Sequence, residues 1–418
     1  MAADLQPLLD RVVHRYPSPL VDAVAEPAPG TRVVAIKNVT INEDFFPGHY
    51  PGQPLMPAVL MIETLTQVAA MLVLDREDAP PHARVWLRGV NGARFRRQVV
   101  PGDQLRLEVS AGRRRSRLAK VKARALVGGH VVAEAELLLA IDPGAAFIHP
   151  MASVHPGARV GEGSVIEAHA VVGPEVTIGR GCRIGASAVV GGWTDIGDAT
   201  HVFPMASIGM APQDLKYQGE RTRLVIGRQN TFREFVTINR GTGGGGGETR
   251  IGDANLFMAY VHVAHDCTVG SHTIFGPHAT LGGHVTVGDF ANISAGTAVH
   301  QFCRVGRHAF IGGYSVVTKD ALPFARTIGS RPARIFGVNG IGLSRRGFTQ
   351  DRISQLKRAY RYLMRSKLNT TGALRAIAGD PSLNDPEVAY LLDFIRSSER
   401  GVILRRPSRR SDEIVADE

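Results

Sequence analysis

Cysteine is nearly missing from this chain of 418 residues: Cys182, Cys267 and Cys303 are the whole supply. An odd number with no CxxC spacing indicates neither a disulfide frame nor a zinc site. Aromatic residues are scarce too, at 6% with two tryptophans, which argues against stacking platforms for nucleic acid. No nucleic-acid-binding motif appears either. No apolar run is long enough to cross a bilayer, and the start, Met1-Ala-Ala-Asp-Leu-Gln6, lacks a basic stretch leading into an apolar one. These absences predict a soluble, cytoplasmic protein with no nucleic-acid partner. Acidic side chains are the last shortage: 38 against 49 basic ones, a formal charge of +11. Such an excess suits an acidic partner.

What the chain has in abundance is a beat of six. Ile148, Val154, Val160, Ile166, Val172, Ile178, Ile184, Val190, Ile196, Val202 and Ile208 hold one phase. Ile226, Phe232 and Ile238 form a short second run, and a third goes from Ile251 to Val317. Six is neither the 3.6 of a helix nor the 2 of an ordinary strand. It predicts a left-handed parallel β-helix, three sides to a coil of eighteen residues, with aliphatics inward and small residues at the bends. Stacked coils then share one continuous core. Two interruptions, Pro212 to Arg221 and the glycine run Gly243 to Gly247, read as loops, where binding residues usually sit. The glycine run is not a phosphate-binding P-loop, since no Gly-Lys-Ser/Thr follows it.

The first 145 residues are patterned differently. Arg32 to Ile41 reads as a strand, and Pro57 to Leu74 as a helix apolar nearly all round, hence buried. Strand-like runs follow at Val85 to Val90, Gln104 to Val109, Leu118 to Val127 and His130 to Ile141. One buried helix wrapped by a curved antiparallel sheet is an α+β plan. Between the first strand and the helix stands Phe45-Phe-Pro-Gly-His-Tyr-Pro-Gly-Gln-Pro-Leu-Met-Pro57, then Glu63 and Gln67. This stretch resembles the 3-hydroxyacyl-acyl-carrier-protein dehydratases of the hot-dog fold, with likeness from about His14 to Ala140. The resemblance implies that His49 and Glu63 are the catalytic pair, contributed by different subunits of a dimer. Dehydration needs a base for the α-proton and an acid for the departing hydroxyl. A histidine in an apolar loop suits the first role, and a glutamate on a buried helix the second. The sequence departs from the family at Ala58, usually glycine, and in Glu63-Thr-Leu-Thr-Gln67. A rival reading makes this region a catalytically silent module for oligomerisation or carrier docking.

Within the beat lie Ala211-Pro-Gln-Asp214, Val261-His-Val-Ala-His-Asp266, Leu281-Gly-Gly-His284 and Ala298-Val-His-Gln-Phe302. Beyond it come Phe336-Gly-Val-Asn339 and Gly342-Leu-Ser-Arg-Arg346. Together these resemble the UDP-N-acetylglucosamine acyltransferases, from Ile148 to about Arg405. His265, His284 and His300 are each close to one coil apart, which predicts one shared cleft; His278 and His308 are expected to be surface decoration. The resemblance implies transfer of a 3-hydroxyacyl chain from acyl carrier protein to the 3-hydroxyl of UDP-N-acetylglucosamine, the step that opens lipid A synthesis. A sugar hydroxyl attacks only once a base takes its proton, a task imidazole suits. The same resemblance makes His265 that base, Asp266 its orienter and the Gly283 N–H the oxyanion donor. It gives Gln213, Asp214, His262, His284, His300, Gln301 and Asn339 to substrate contact. Arg345 and Arg346 offer forked donors for phosphate. The resemblance also implies that Gly313 leaves room for a long acyl chain, with Arg331 near the pocket floor. Neither a metal nor a cofactor is implied, and His262-x-x-His265 alone is a weak zinc signal. The rivals here are an amino-sugar acceptor or a non-enzymatic scaffold.

The expected domains are therefore a hot-dog unit at 1–145, the solenoid at 146–330, a helical substrate-binding cap at 331–405 and a disordered tail at 406–418. Arg113-Arg-Arg115 reads as a solvated hairpin tip, or as a docking patch for the carrier. Family solenoids pack as trimers and family hot-dog domains at least as dimers. A closed homo-oligomer satisfying both is a D3 hexamer.

Overall fold

The computed structural model describes residues 18–28, 30–74, 83–115, 117–365 and 368–404; the tail expected at 406–418 lies outside them. The chain divides into two compact units between Phe147 and Ile148. No helix among the described residues is long and apolar enough to cross a membrane.

Among the described residues, the first unit is one helix on one antiparallel sheet. Its strands are β1 (Ala23–Ala28), β2 (Arg32–Asn38), β3 (Arg84–Phe95), β4 (Gln104–Arg115), β5 (Leu118–Val127) and β6 (His130–Asp142), and its helix is α1 (Ala58–Leu74). The spatial order is β1-β2-β4-β5-β6-β3. Alternation decides which face is covered: Ala119, Val121, Ala123 and Ala125 of β5 are buried while the residues between them are exposed. Leu65, Val68 and Leu72 of α1 are fully buried in the same core. Thr64 and Thr66 survive on this apolar helix by donating back to Leu60 and Ile62 carbonyls, at 2.6 and 2.8 Å. Strand β1 carries Pro27 and no alternation of its own, so the sequence hides it. Strand β3 stands at the sheet edge with Trp86 52% and Phe95 46% exposed.

The second unit is the solenoid. Three sheets of 11, 9 and 8 strands form its sides, parallel except where Arg334–Val338 runs antiparallel at the end of the first, with strands pairing at one-coil spacing, as in Ile166 with Ile184 and Val172 with Val190. The inward residues include Phe232, Phe257 and Phe275, which stack through the core at 4.9 and 4.6 Å. Both interruptions are insertions between paired strands: Val202 pairs with Phe232 across the first, and Ile226 with Ile251 across the second.

The corners differ from the expectation of small residues. Asp266, His272, His278, His284, Phe290, Phe302 and His308 turn there with φ of 57–64°. A side chain in the left-handed region costs roughly 1 kcal/mol. Repetition offsets it: His284 and His308 donate their N–H groups to the preceding coil, at His265 and Asp289, and rings one coil apart stack. His272, Phe290 and His308 form such a file at 5.0 and 4.8 Å. His308 is therefore no surface decoration but a buried link in that file, whereas His278 is exposed and stacks on Tyr260.

The cap begins with strands Ala325–Ile328 and Arg334–Val338 on the last coil. Four helices follow among the described residues: α2 (Gly340–Arg345), α3 (Gln350–Arg365), α4 (Thr370–Ala378) and α5 (Pro386–Arg396). Asn369 and Asp385 accept backbone N–H groups as N-caps of α4 and α5. Arg304 fastens the cap to the solenoid through Asp320 at 2.8 Å and the Phe394 carbonyl at 2.7 Å.

Candidate functional site

Asp266 occupies a solenoid corner with its side chain 1% exposed. Its Oδ2 lies 2.7 Å from His265 Nδ1. A carboxylate only accepts, so Nδ1 carries the proton and Nε2 keeps its lone pair. Thr242 grips the same carboxylate twice, donating its N–H to Oδ1 at 2.9 Å and its hydroxyl to Oδ2 at 2.6 Å. His284, one coil on, stands edge-on to His265 at 5.2 Å and stacks on Phe302 at 4.3 Å. Gly283 closes another side. A Cβ there would meet His265 Cε1 at 2.6 Å and Nε2 at 2.8 Å, so only glycine lets the imidazole rest against the backbone. Gly282 and His284 donate their N–H groups to Val299 and His265, while no acceptor among the described residues takes the N–H of Gly283.

Three ligand-type atoms, one each from His265, Asp266 and His284, lie within 4.8 Å of one another. Oδ2 of Asp266 already takes the imidazole proton and the Thr242 hydroxyl, an arrangement suited to an oriented acid–base pair rather than to a cation. His262 sits close by, its Nδ1 2.7 Å from the Thr237 hydroxyl. Burial, aided by the nearby His265, holds its pKa below the usual imidazole value.

The other expected residues are dispersed. His300 is exposed; its Nδ1 lies 3.1 Å from the Gln301 carbonyl and 3.4 Å from Arg400. No ring contact among the described residues joins it to His265 or His284. Gln213 and Asp214 stand on the loop inserted after strand Ser207–Met210, and Asp214 accepts the Lys216 N–H at 3.0 Å. Asn339 caps α2 through Gly342 and donates to the His308 carbonyl at 3.2 Å. Arg345 and Arg346 line a cavity of about 700 Å³ with His272, Phe290 and His308. Arg346 lies 4.9 Å over the Phe290 ring. Burial first, then the Arg307 and Arg346 charges, push the His308 pKa down to about 4. Gly313 lies exposed at a corner beside Tyr314, and Arg331 is exposed in the turn between the two cap strands.

The base-like group and the arginine cavity therefore occupy different edges of the prism. Positions 266, 284 and 302 share one edge; 272, 290 and 308 share the next.

In the first unit, His49 lines a cavity of about 370 Å³ with Ala58, Phe95 and Arg97. Its Nδ1 is 2.9 Å from the Leu55 carbonyl, which can only accept, so Nε2 is the free base. Glu63 is not in that lining; its Oε1 accepts from Gln67 Nε2 at 3.0 Å. Gln67, 2% exposed, also bonds Ser18 and Leu20. One copy of the chain thus does not bring His49 and Glu63 together in one cavity.

Sequence reasoning missed Thr242 and Gly245, whose Cβ would lie 2.1 Å from the Asp266 carboxylate carbon. They lie at and just before the glycine run, and the return of Thr242 onto Asp266 spans 24 positions and leaves no periodic signal.

Comparison with known proteins places both units. Residues 12–136 match a FabA-like domain, 248–283 the bacterial transferase hexapeptide, and 320–403 domain 2 of Udp N-acetylglucosamine O-acyltransferase. The acyl-[acyl-carrier-protein]–UDP-N-acetylglucosamine O-acyltransferase of Thiobacillus denitrificans is 50% identical over 258 residues, 62% of this chain and 99% of its own. That of Myxococcus xanthus is 48% identical over 255 residues, 61% and 98%. The solved UDP-N-acetylglucosamine acyltransferase of Bacteroides fragilis superposes with a TM-score of 0.59 at 41% identity, covering 62% of this chain and 100% of that one. That of Campylobacter jejuni gives 0.59 at 39%, with the same coverage. The chain belongs to the UDP-N-acetylglucosamine O-acyltransferase family, and it carries a FabA-like hot-dog domain ahead of the acyltransferase part.

Proposed function

We propose that the second unit transfers an (R)-3-hydroxyacyl chain from acyl carrier protein to the 3-hydroxyl of UDP-N-acetylglucosamine. The observation that carries this reading is the His265–Asp266 pair, with the glycine backbone of 283 pressed against the imidazole. Nε2 of His265 takes the proton of the sugar hydroxyl as its oxygen attacks the thioester carbonyl. The Gly283 N–H, without an acceptor among the described residues, stabilises the oxyanion. Collapse expels the pantetheine thiolate, which receives the proton from His265. Arg345 and Arg346 hold the diphosphate, and Gln213, Asp214, His262, His284, His300 and Gln301 contact the two substrates. Asn339, its amide engaged with Gly342 and His308, shapes the cavity wall beside them. Gly313 and Arg331 bound the acyl chain. The test is His265→Ala in the full chain: acyl transfer should vanish while the melting curve stays unchanged. Near-normal transfer would sink the assignment.

A second activity is favoured by the His49 cavity. The first unit removes water from (R)-3-hydroxyacyl-acyl carrier protein, with His49 as base and Glu63 of a neighbouring copy as acid. The exposed apolar edge of β3, whose Phe95 lines the His49 cavity, supports pairing with a second copy. Both units would then draw on one carrier-bound substrate, in an assembly of six chains with D3 symmetry. His49→Ala and Glu63→Gln should each abolish enoyl product and leave sugar acylation intact. A wild-type chain forming no enoyl product would mean the unit is a silent module.

A further inference from the structure

We propose that the glycine run is a strap that positions the base pair, with Thr242 as its positioning residue and Glu220 as its tie to the loop bearing Gln213 and Asp214. The inference rests on the reading of His265 as the base.

The strap begins at Gly241, where a Cβ would lie 2.2 Å from the Glu248 nitrogen, so the two ends of the insertion meet at a neck that admits no side chain. Past the neck, Thr242 is 7% exposed and spends its backbone and its hydroxyl on the two oxygens of Asp266. Asp266 itself is sealed from solvent, so no water can replace a lost donor, and a buried carboxylate robbed of one is costly. The next residues turn as a short 3-10 helix, Gly243–Gly245, and the N–H groups of Gly245 and Gly247 return to the Thr242 carbonyl at 3.1 and 2.9 Å. Gly245 then lies flat on the carboxylate, where any side chain would collide with it. Glycine is required at 245 by this contact, and at 246 and 247 by φ of 95° and 80°.

The same strap is tied to the substrate loop. Gly243 donates its N–H to Glu220 Oε1 at 3.0 Å, while the other Glu220 oxygen accepts from Gln218 at 2.9 Å. These backbone donors hold the Glu220 carboxyl below its usual pKa. Tyr217 donates its hydroxyl to the Glu220 carbonyl at 2.8 Å and accepts from Arg240 at 2.7 Å. Asn239 anchors the loop's first residue, donating to the Ala211 carbonyl at 2.9 Å. One line of contacts thus runs from the loop through Glu220, Gly243, Thr242 and Asp266 to His265. The loop that meets the sugar nucleotide and the carboxylate that aims the base are parts of one bonded piece.

The test uses the full chain and measures kcat and KM for UDP-N-acetylglucosamine. Thr242→Val keeps the shape and deletes the hydroxyl: kcat should fall about tenfold with KM unchanged, the loss of an interaction expressed only in the transition state. Thr242→Ser should restore kcat to within about twofold. Gly245→Ala, which keeps every polar group and displaces the carboxylate, should lower kcat at least as far. Glu220→Ala should lower kcat and raise KM together, because it loosens both ends of the line. Wild-type kcat in Thr242→Val alongside a dead His265→Ala would overturn the strap and leave the base reading standing. An active His265→Ala would overturn the base reading itself. A serine variant as poor as the valine one would assign the effect to packing and overturn the hydroxyl's role. Should Thr242→Val not fold, Glu220→Ala decides: a rise in KM with unchanged kcat would show that the loop is not tied to the base.

Discussion

Replacing Gly283 with alanine adds one carbon where the backbone presses against the His265 imidazole. That Cβ would stand 2.6 Å from His265 Cε1 and 2.8 Å from Nε2. Non-bonded carbons rest at about 3.5–4.0 Å, so the imidazole must retreat by roughly 1 Å. The ring cannot take Asp266 with it, because Thr242 holds both carboxylate oxygens. The 2.7 Å bond from Nδ1 therefore stretches or the ring tilts, and Nε2 no longer points where the hydroxyl arrives. A misplacement of about 1 Å costs on the order of a hundredfold in rate. Stability should hardly change: Gly283 has no left-handed backbone, and the inward neighbours Leu281 and Val285 keep their fully buried places. The assay is steady-state acylation of UDP-N-acetylglucosamine from a 3-hydroxyacyl carrier, with a thermal melt of the same sample. An alanine variant with kcat within about threefold of the parent and an unchanged melt would refute the reasoning.

His308 gives a pH prediction. Its folded pKa of about 4 lies below the ordinary 6.5, so the unfolded chain takes up the proton first, and stability is intact above pH 6.5 and falls as pH drops toward 4. The loss reaches roughly 3 kcal/mol; His308→Phe, which fits the file between Phe290 and Phe324, should flatten that acid limb in urea melts at pH 7 and 4.5, and an unchanged slope would count against it. Phe257→Ala should cost about 3–5 kcal/mol in denaturant unfolding of the solenoid, since the ring is fully buried between two others; a loss below about 1 kcal/mol would mean the file is not tightly packed.

The solenoid was legible because a coil repeats its chemistry: every sixth residue meets the same interior, so Ile166, Val172 and Ile178 betray the fold without any neighbour in space. His265, Asp266, Gly283 and His284 come together for the same reason, the coil spacing that carries residue 265 to 284. The corners were misread because a glycine is the usual answer to φ near 60°, whereas here stacking between coils lets His272, Phe290 and His308 hold it. The Thr242 hydroxyl that donates to Asp266 was invisible because insertions break the period, and where an inserted loop returns depends on packing, not on spacing. In the first unit, α1 and β5 were plain from apolar run and alternation, while β1 was hidden and β3 ran longer than its apolar part. Edge strands carry weak signals since one side of each meets no partner.

The placement of the arginine cavity leads to the last prediction. Within one chain the proposed base stands on one edge of the prism, at 265 and 266, and Arg345 and Arg346 line a cavity on the next edge, beside His272, Phe290 and His308. The third edge carries exposed Met205, Phe235, Tyr260 and Tyr314, an apolar file that calls for cover by another copy. A three-fold axis along the solenoid would bring one edge of each copy to a different edge of its neighbour. The sugar nucleotide would then meet the base of one copy and the arginines of the next. His265→Ala chains and Arg345→Ala, Arg346→Ala chains, each inactive alone, should regain acyl transfer when co-expressed. Random mixing leaves one interface in four with both intact contributions, so the mixture should reach about a quarter of the wild-type rate. If each chain built a whole site by itself, no mixed interface could help, and the co-expressed pair would stay as inactive as its parents.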